Sequence, residues 1–448
     1  MIQANPDRIE RTPTVKSFDE FVSLLNAVML TAPEYSSLYS VSDLNMDDPA
    51  GVAFQDDPAG VVAFPVNALL AWPMSTSVGQ DLFANVLVND CFLRILNYWQ
   101  ETFLTTEGSR YVFPATADPA TTRPDKAVGW LSDDAKKHMV LVAFAFAGKN
   151  TDVVIEDQIF VCKEPGTGLR PTFEEVFDLP NPKDKEYAGF SSWDNFFLRK
   201  FSVMGNKVGH GPRPLNGLRG YQPWPQSSAE DDSVIVNACE SAPLTLDRDV
   251  SAESRFWLKE QKYSLSDMLN KDELAHNFYG GCVYQGYLSA LSYHRWNAPV
   301  SGTVVKVDFI PGAYFLESMH TGFDDFENDS QMFLTATATR MAIYIQANDP
   351  NIGLMVFLAI GMGEVSSCEA VVKAGQVLRK GDEIGKFHYG GSSHCLIFTK
   401  EAAEKLDFFT ELKTPNGEDW YNTKPGLSAS NVPVLAQIAK YNPDRVTE

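Results

Sequence analysis

Residues 286–315 read GYLSALSYHRWNAPVSGTVVKVDFIPGAYF, and the second half of that stretch decides the fold. From Thr303 to Ile310 apolar and polar residues alternate in part, the period-2 pattern of a strand with one face buried. Pro299 and Gly302 punctuate its start, and Pro311-Gly312 closes it. The same texture recurs on both sides. Residues 233–240, 341–346, 353–360 and 382–388 are short β-rich runs separated by Gly, Pro and Asn. The segment AGQVLRKGDEIG at 374–385 sets glycines at turns between short strands. Compact antiparallel sheet is expected, as a sandwich or a barrel edge.

Upstream the pattern is helical. Ser17 with Glu20 is a capping-box signal, followed by Phe18, Phe21, Leu24, Leu25 and Val28 on one helical face. Residues 81–103, DLFANVLVNDCFLRILNYWQETF, are apolar almost all round and predict a buried helix. Between them DDPAGVAF at 47–54 is echoed by DDPAGVVAF at 56–64, two similar turns and too few copies for a solenoid. Residues 162–189 read as a connection in which Thr172 and Glu175 cap a short helix. Another helix is expected to start at Ser191, and 209–232 forms a long irregular loop. The fold class is therefore α+β. A helical front precedes a mainly antiparallel, β-rich part, the texture changing at 233.

The chain has 448 residues, with 37 Lys+Arg against 58 Asp+Glu, a net charge of −21. Such a surface disfavours nucleic acid and anionic membranes, which bind through basic patches. The N-terminus MIQANPDRIERTPTVK lacks an apolar core, so no signal peptide is read there. The longest apolar runs, 139–148 and 353–362, are about half of a membrane span. A cytoplasmic protein without a transmembrane segment is expected. Cys91, Cys162, Cys239, Cys282, Cys368 and Cys395 are scattered with no C-x-x-C pair, so neither a disulfide framework nor a metal site is expected.

Two segments have the residue types for chemistry. In Tyr293-His294-Arg295-Trp296-Asn297 a histidine sits just before a strand, at a position suited either to a core imidazole or to a side chain facing a cleft. In Phe387-His388-Tyr389-Gly390-Gly391-Ser392-Ser393-His394-Cys395 two glycines precede two serines. One reading is a hairpin turn. The other is a serine whose hydroxyl faces its own preceding carbonyl, in a backbone conformation that glycine permits.

Taken together, these segments resemble the pyruvoyl-dependent phosphatidylserine decarboxylase family. The likeness runs in order through DNFFLRKF at 194–201, Arg213-Pro214, KYSLSDML at 262–269, the 286–315 stretch, GLMVFLAIGMGEVSSCEAVV at 353–372 and the GGSS at 390–393. It covers about 186–400, which implies a helical N-terminal domain with its linker (1–185) followed by the β-rich catalytic domain (186–448). Ala-Cys-Glu at 238–240, YHRW at 293–296, FHYGGSS at 387–393 and Gly129-Trp130-Leu131 resemble the family's soluble fungal, L-tryptophan-decarboxylase-like branch.

The resemblance implies an enzyme that makes its own cofactor. Ser392 would attack the Gly391 carbonyl, the chain would part at Gly391–Ser392, and the serine remnant would become a pyruvoyl group on the 392–448 piece, which stays partnered with 1–391. That carbonyl would take an amino-acid substrate as a Schiff base for loss of CO2. His294 matches the histidine that returns a proton to Cα. The family's second histidine, base of its processing triad, is here Asn297, which cannot accept a proton at neutral pH. Glu240 stands where many members have the triad aspartate. His388 and His394, close to Ser392 in sequence, are the alternative bases. Trp296 and Arg340 are candidate substrate contacts. The acidic charge favours a soluble amino acid, and Trp296 beside His294, if it walls a pocket and is not core, an aromatic one. The alternatives are phosphatidylserine, decarboxylated in phosphatidylethanolamine synthesis at a mitochondrial membrane, and an unprocessed, non-catalytic binding protein.

Overall fold

The computed structural model describes residues 70, 74, 77–112, 131, 133, 135–136, 139–140, 152–156, 159–163, 172–202, 231–253, 263–288, 291–316, 331–363, 367–388, 392–408, 432 and 434–446. The expected helix at 17–28, the duplicated turns at 47–64 and most of the loop at 209–232 lie outside these residues, so the helical front is only partly described.

Fifteen strands are described. They are β1 (Asp152–Glu156), β2 (Ile159–Lys163), β3 (Val234–Val236), β4 (Ala242–Val250), β5 (Gly281–Leu288), β6 (Arg295–Asn297), β7 (Gly302–Ile310) and β8 (Arg340–Ala347). They continue with β9 (Leu354–Gly361), β10 (Ser367–Ala370), β11 (Val377–Leu378), β12 (Glu383–His388), β13 (Ser392–Phe398), β14 (Leu406–Phe408) and β15 (Gln437–Tyr441). A seven-stranded sheet runs in the order β11-β7-β8-β9-β13-β5-β4, and every pairing in it is antiparallel. Two three-stranded sheets, β10-β12-β6 and β14-β15-β3, are also antiparallel. The β-rich half is therefore as expected.

Each face of the large sheet carries its own core. On one face Leu396, Phe398, Phe357 and Tyr284 pack with Trp296, Phe387, Phe408 and Ile438, which come from the two small sheets. On the other face Cys395, Ile397, Leu358 and Tyr344 pack with Leu265, Met268 and Leu334 from the helices Leu265–Met268 and Gln331–Thr337. Burial on both faces removes the alternation that sequence reading relies on. β9 and β13 are apolar or fully buried along nearly their whole length.

The 81–103 segment departs from expectation. It is two helices, Ser77–Ala84 and Val86–Trp99, followed by a π turn at Gln100–Leu104. Asn85 breaks the run because its side chain accepts from the Leu87 amide at 2.9 Å and caps the second helix. Nor is the second helix buried all round. Val88, Cys91, Phe92 and Leu96 point inward, while Leu87 is 60% exposed. Its inner face meets Tyr314 and Phe315, and Asn89 accepts from the Tyr314 amide at 3.1 Å. Short helices occur at 173–176, beside Thr172, and at 193–197, two residues after the expected start at Ser191; Ser192 caps the latter by accepting from the Asn195 amide at 3.1 Å. Among the described residues no helix is long and apolar enough to cross a membrane.

Candidate active site

β13 is an interior strand, paired along its whole length with β5 on one side and β9 on the other. Side chains alternate between its faces, so Ser392, His394 and Leu396 point toward the two small sheets. Ser393 and Cys395 point the other way. Ser393 receives a hydrogen bond from Gln285 Nε2 at 3.2 Å, and Tyr263 Oη donates to Gln285 Oε1 at 2.7 Å. The Ser392 hydroxyl is fully buried and makes no hydrogen bond. Leaving a buried hydroxyl unsatisfied costs about 1–3 kcal/mol, so this is a side chain that the fold does not use for its own stability. Gly391 lies outside the described residues.

His394 is equally buried. Its ring stacks on Phe357 at 5.8 Å and meets the edge of Tyr284 at 6.2 Å. Neither ring nitrogen is hydrogen-bonded. Burial pushes its pKa down to about 3, so the imidazole is neutral with a free lone pair. Gly286, opposite it on β5, makes room: a Cβ there would lie 2.8 Å from His394 Cε1 and 2.7 Å from Ser241 Oγ. Ser241 and His394 thus converge over a strand that cannot carry a side chain at that point.

The second segment lies on β6, in the small sheet. The His294 carbonyl accepts from the Phe387 amide at 3.0 Å, and its ring stacks on Phe197 with centroids 3.8 Å apart. Two residues on, Trp296 packs against Phe387 at 4.7 Å and Phe357 at 5.3 Å. Gly385 permits this, since a Cβ there would sit 2.2 Å from Trp296 Cε3. Phe357 therefore touches both Trp296 and His394, and links the two chemical segments through one ring. Trp296 is packed as core.

Glu240 is fully buried, and its Oε1 accepts from the Tyr293 amide at 3.1 Å. The fully buried Arg199 lies near enough for its charge to be felt. Burial lowers the Arg199 pKa to about 10, opposed by the charges of Glu240 and Tyr293, so the guanidinium stays charged. Arg199 also donates to the carbonyls of Leu291 and Ser292 and stacks on Phe177 and Phe196. The backbone leading into His294 is thus held from both sides. Asn297 binds the Ala238 carbonyl through its amide at 2.9 Å and the Gly381 carbonyl through Nδ2 at 3.1 Å.

The remaining sequence candidates are placed elsewhere. Arg340 shares a register row with Ile360 and Ser393, on the sheet face opposite Ser392. Its guanidinium donates to the carbonyls of Met268, Asp267 and Ala338 and closes off a helix end. His388 is tied at Nδ1 to Asp194 (2.8 Å) and at Nε2 to Glu369 (2.9 Å). Burial opposes its charge, but the two carboxylates outweigh that and raise its pKa above 6.5. Phe197, Arg199, Asp194 and Ser241 had no role in the sequence reading. The first three stand within DNFFLRKF, where a helix places Asp194 and Phe197 on one face by their i,i+3 spacing. A cleft of about 650 Å3 lined by Asp133, Lys136, Phe173, Glu174 and Lys185 shares no residue with this site.

A buried serine thus opens an interior strand of the large antiparallel sheet, with one histidine on the same strand and another beside an adjoining sheet. Residues 221–418 match the phosphatidylserine decarboxylase family, and residues 1–139 match a second family of the same description. The chain is 35% identical over 351 residues to the decarboxylase iboD of Amanita muscaria, covering 75% of this chain and 84% of that protein. It is 30% identical over 415 residues to an L-tryptophan decarboxylase of Psilocybe cubensis, covering 90% and 81%. A phosphatidylserine decarboxylase proenzyme 2 of Oryza sativa subsp. japonica is 28% identical over 52% of this chain and 33% of its own length. The protein belongs to the phosphatidylserine decarboxylase family, in its fungal decarboxylase branch, and it is an enzyme, a decarboxylase.

Proposed function

We propose that the chain cleaves itself between Gly391 and Ser392 and decarboxylates a free, aromatic amino acid with the pyruvoyl group so formed. The observation that carries this reading is the Ser392 hydroxyl: fully buried, without a hydrogen bond, directly after two glycines. A group derived from that residue fits here, because nothing else in the fold engages its oxygen. The family is pyruvoyl-dependent in general.

Processing begins with Ser392 Oγ forming a bond to the Gly391 carbonyl carbon as the Gly391–Ser392 C–N bond breaks, giving an ester and a free amine. Loss of the Ser392 Cα proton then expels the ester oxygen with the Gly391 carboxylate. Water replaces the nitrogen, which leaves as ammonia. The first step needs a base for the Oγ proton. Asn297 is held by Gly381 and has no basic atom. His388 sits between two carboxylates that favour its protonated form. We assign the role to His394 on its place, on the Ser392 face of β13, two residues and about 7 Å along the strand; burial keeps its ring neutral and able to accept, and also makes it a weaker base than an exposed imidazole. The assignment requires one water to carry the proton between Ser392 Oγ and the His394 ring, a relay that general-base catalysis permits.

When formed, the group supplies an electron-withdrawing carbonyl for CO2 loss from Cα. His294 is assigned the proton returned to Cα, with Phe197 fixing its ring plane and Glu240 fixing the preceding amide. The buried apolar walls, Phe357 and Leu288 among them, exclude water. The fungal relative named L-tryptophan decarboxylase and the net charge of −21 support a free aromatic amino acid over a lipid headgroup.

Intact mass of purified protein tests the reading. Two chains, 1–391 and 392–448, are expected, the shorter one lacking a free α-amine and resisting Edman degradation. A single chain stable for days would overturn it. CO2 release from tryptophan but not from phosphatidylserine vesicles is the expected specificity; the reverse would move the substrate to lipid.

A further inference from the structure

His388 is the most heavily engaged side chain near the processing segment, and the chemistry above does not use it. It ends β12, three residues before the Gly391–Ser392 bond. Its ring reaches two other elements: Asp194 on the helix Trp193–Phe197 at 2.8 Å and Glu369 on β10 at 2.9 Å. It is 6% exposed. The same helix, one turn on, stacks Phe197 against His294.

We propose that His388 is a positioning residue, clamped between Asp194 and Glu369, that sets the strand end ahead of the cleavage bond and ties it to the helix that holds His294. The proposal rests on the self-cleavage reading. Strain or reach at a bond is useful only if the chain on its amino side is anchored, and His388 ends the paired strand β12 with its ring bonded to two other elements. After scission it anchors the new end of the 1–391 chain, which has lost its covalent link to β13.

The clamp depends on charge. Facing His388 are Asp194 from the helix, Glu369 from β10 and, on its own strand, Lys386, which pairs with Glu369 at 3.1 Å. An Arg295–Glu383 pair at 2.6 Å also joins β6 to β12 in this small sheet. Glu369 is held down to about 2, chiefly by the hydrogen bond from His388, so it stays ionised at any working pH. Because the folded pKa of His388 is raised, the clamp is complete below pH 6.5 and is lost as pH rises through the folded value.

Two measurements on the full chain test this. In the uncleavable Ser392→Ala protein, amide exchange at 385–388, corrected for intrinsic rates, should lose protection at high pH. His388→Gln should reduce protection about tenfold or more at all pH and remove the pH dependence. In the cleavable protein, His388→Gln should slow cleavage at least tenfold at pH 6, and His388→Arg, which can bind both carboxylates, should restore it with a flat high-pH limb. Unchanged exchange in His388→Gln overturns the clamp. Loosened exchange with unchanged cleavage overturns its positioning role. A wild type that never cleaves sinks the processing reading and with it that role, while exchange in the Ser392→Ala chain still decides whether the clamp exists.

Discussion

Asn297 carries the clearest single-residue question, because it stands where the resemblance expects a base. Its Nδ2 is committed to the Gly381 carbonyl at 3.1 Å. Asn297→His is therefore expected to leave the cleavage rate within about threefold of wild type, and a large acceleration would return the role of base to this position. His394→Phe, close in shape and unable to take a proton, should slow cleavage by about 10²-fold or more; mass spectrometry over time reads both. The two histidines flanking the serines also oppose one another in pH. His394 has a folded pKa of about 3 against 6.5 unfolded, so the unfolded state binds more protons between those values and stability falls as pH drops below 6.5. His388, raised, does the reverse above 6.5. Urea midpoints from pH 7 to pH 5 should decline in wild type and decline less in His394→Phe. Gly286→Ala places a methyl between Ser241 Oγ and His394 Cε1 and should cost about 1–3 kcal/mol in urea unfolding.

Among the elements, the five-residue helix Trp193–Phe197 has influence beyond its length. Asp194 reaches His388, Phe197 stacks on His294, and Arg199 just after it holds the Leu291 and Ser292 carbonyls. Its N-cap is Ser192, buried and bonded to the Asn195 amide. Ser192→Ala should cost about 1 kcal/mol of stability in chemical denaturation and should slow cleavage by more than a surface Ser→Ala of equal cost. Strands differ in how plainly they can be read. β7 was legible because Gly302–Ile310 has one partly exposed face, so Thr303, Lys306 and Asp308 interrupt its apolar run, the alternation shifting by one at a bulge between Val304 and Lys306. β5, GCVYQGYL, was not, since both faces are buried and Gln285 is satisfied internally by Tyr263 and Ser393. Ser392 and Ser393 admit a hairpin turn on composition, yet they open a central strand because β5 and β9 flank them on both sides. Polar side chains at 0% exposure are a consequence of neighbours, and no local pattern announces them.

For the molecule as a whole, processing would divide one chain without dividing one fold. The 392–448 piece contributes β13, β14 and β15, and β13 is paired from Ser392 to Phe398 with strands of the longer piece on both sides. β15 likewise pairs with β3. The two pieces should co-elute as one species on size exclusion and native mass spectrometry and separate only in denaturant; separation in plain buffer would contradict this sheet order. The amino-acid sequence by itself determined the family, the serine after two glycines, the order of the motifs and the acidic charge. These are properties of identity and spacing along the chain. It also carried the antiparallel β-rich half, because turns and half-buried strands leave local marks. Only the tertiary structure decided which histidine is neutral and which is held between carboxylates. It alone set Arg340 on the far face of the sheet from Ser392 and placed Trp296 in the core. The physical reason is that protonation, orientation and burial are set by groups distant in sequence: Asp194 lies 194 residues from His388, and Phe357 and Gly286 shape the surroundings of His394 from two other strands.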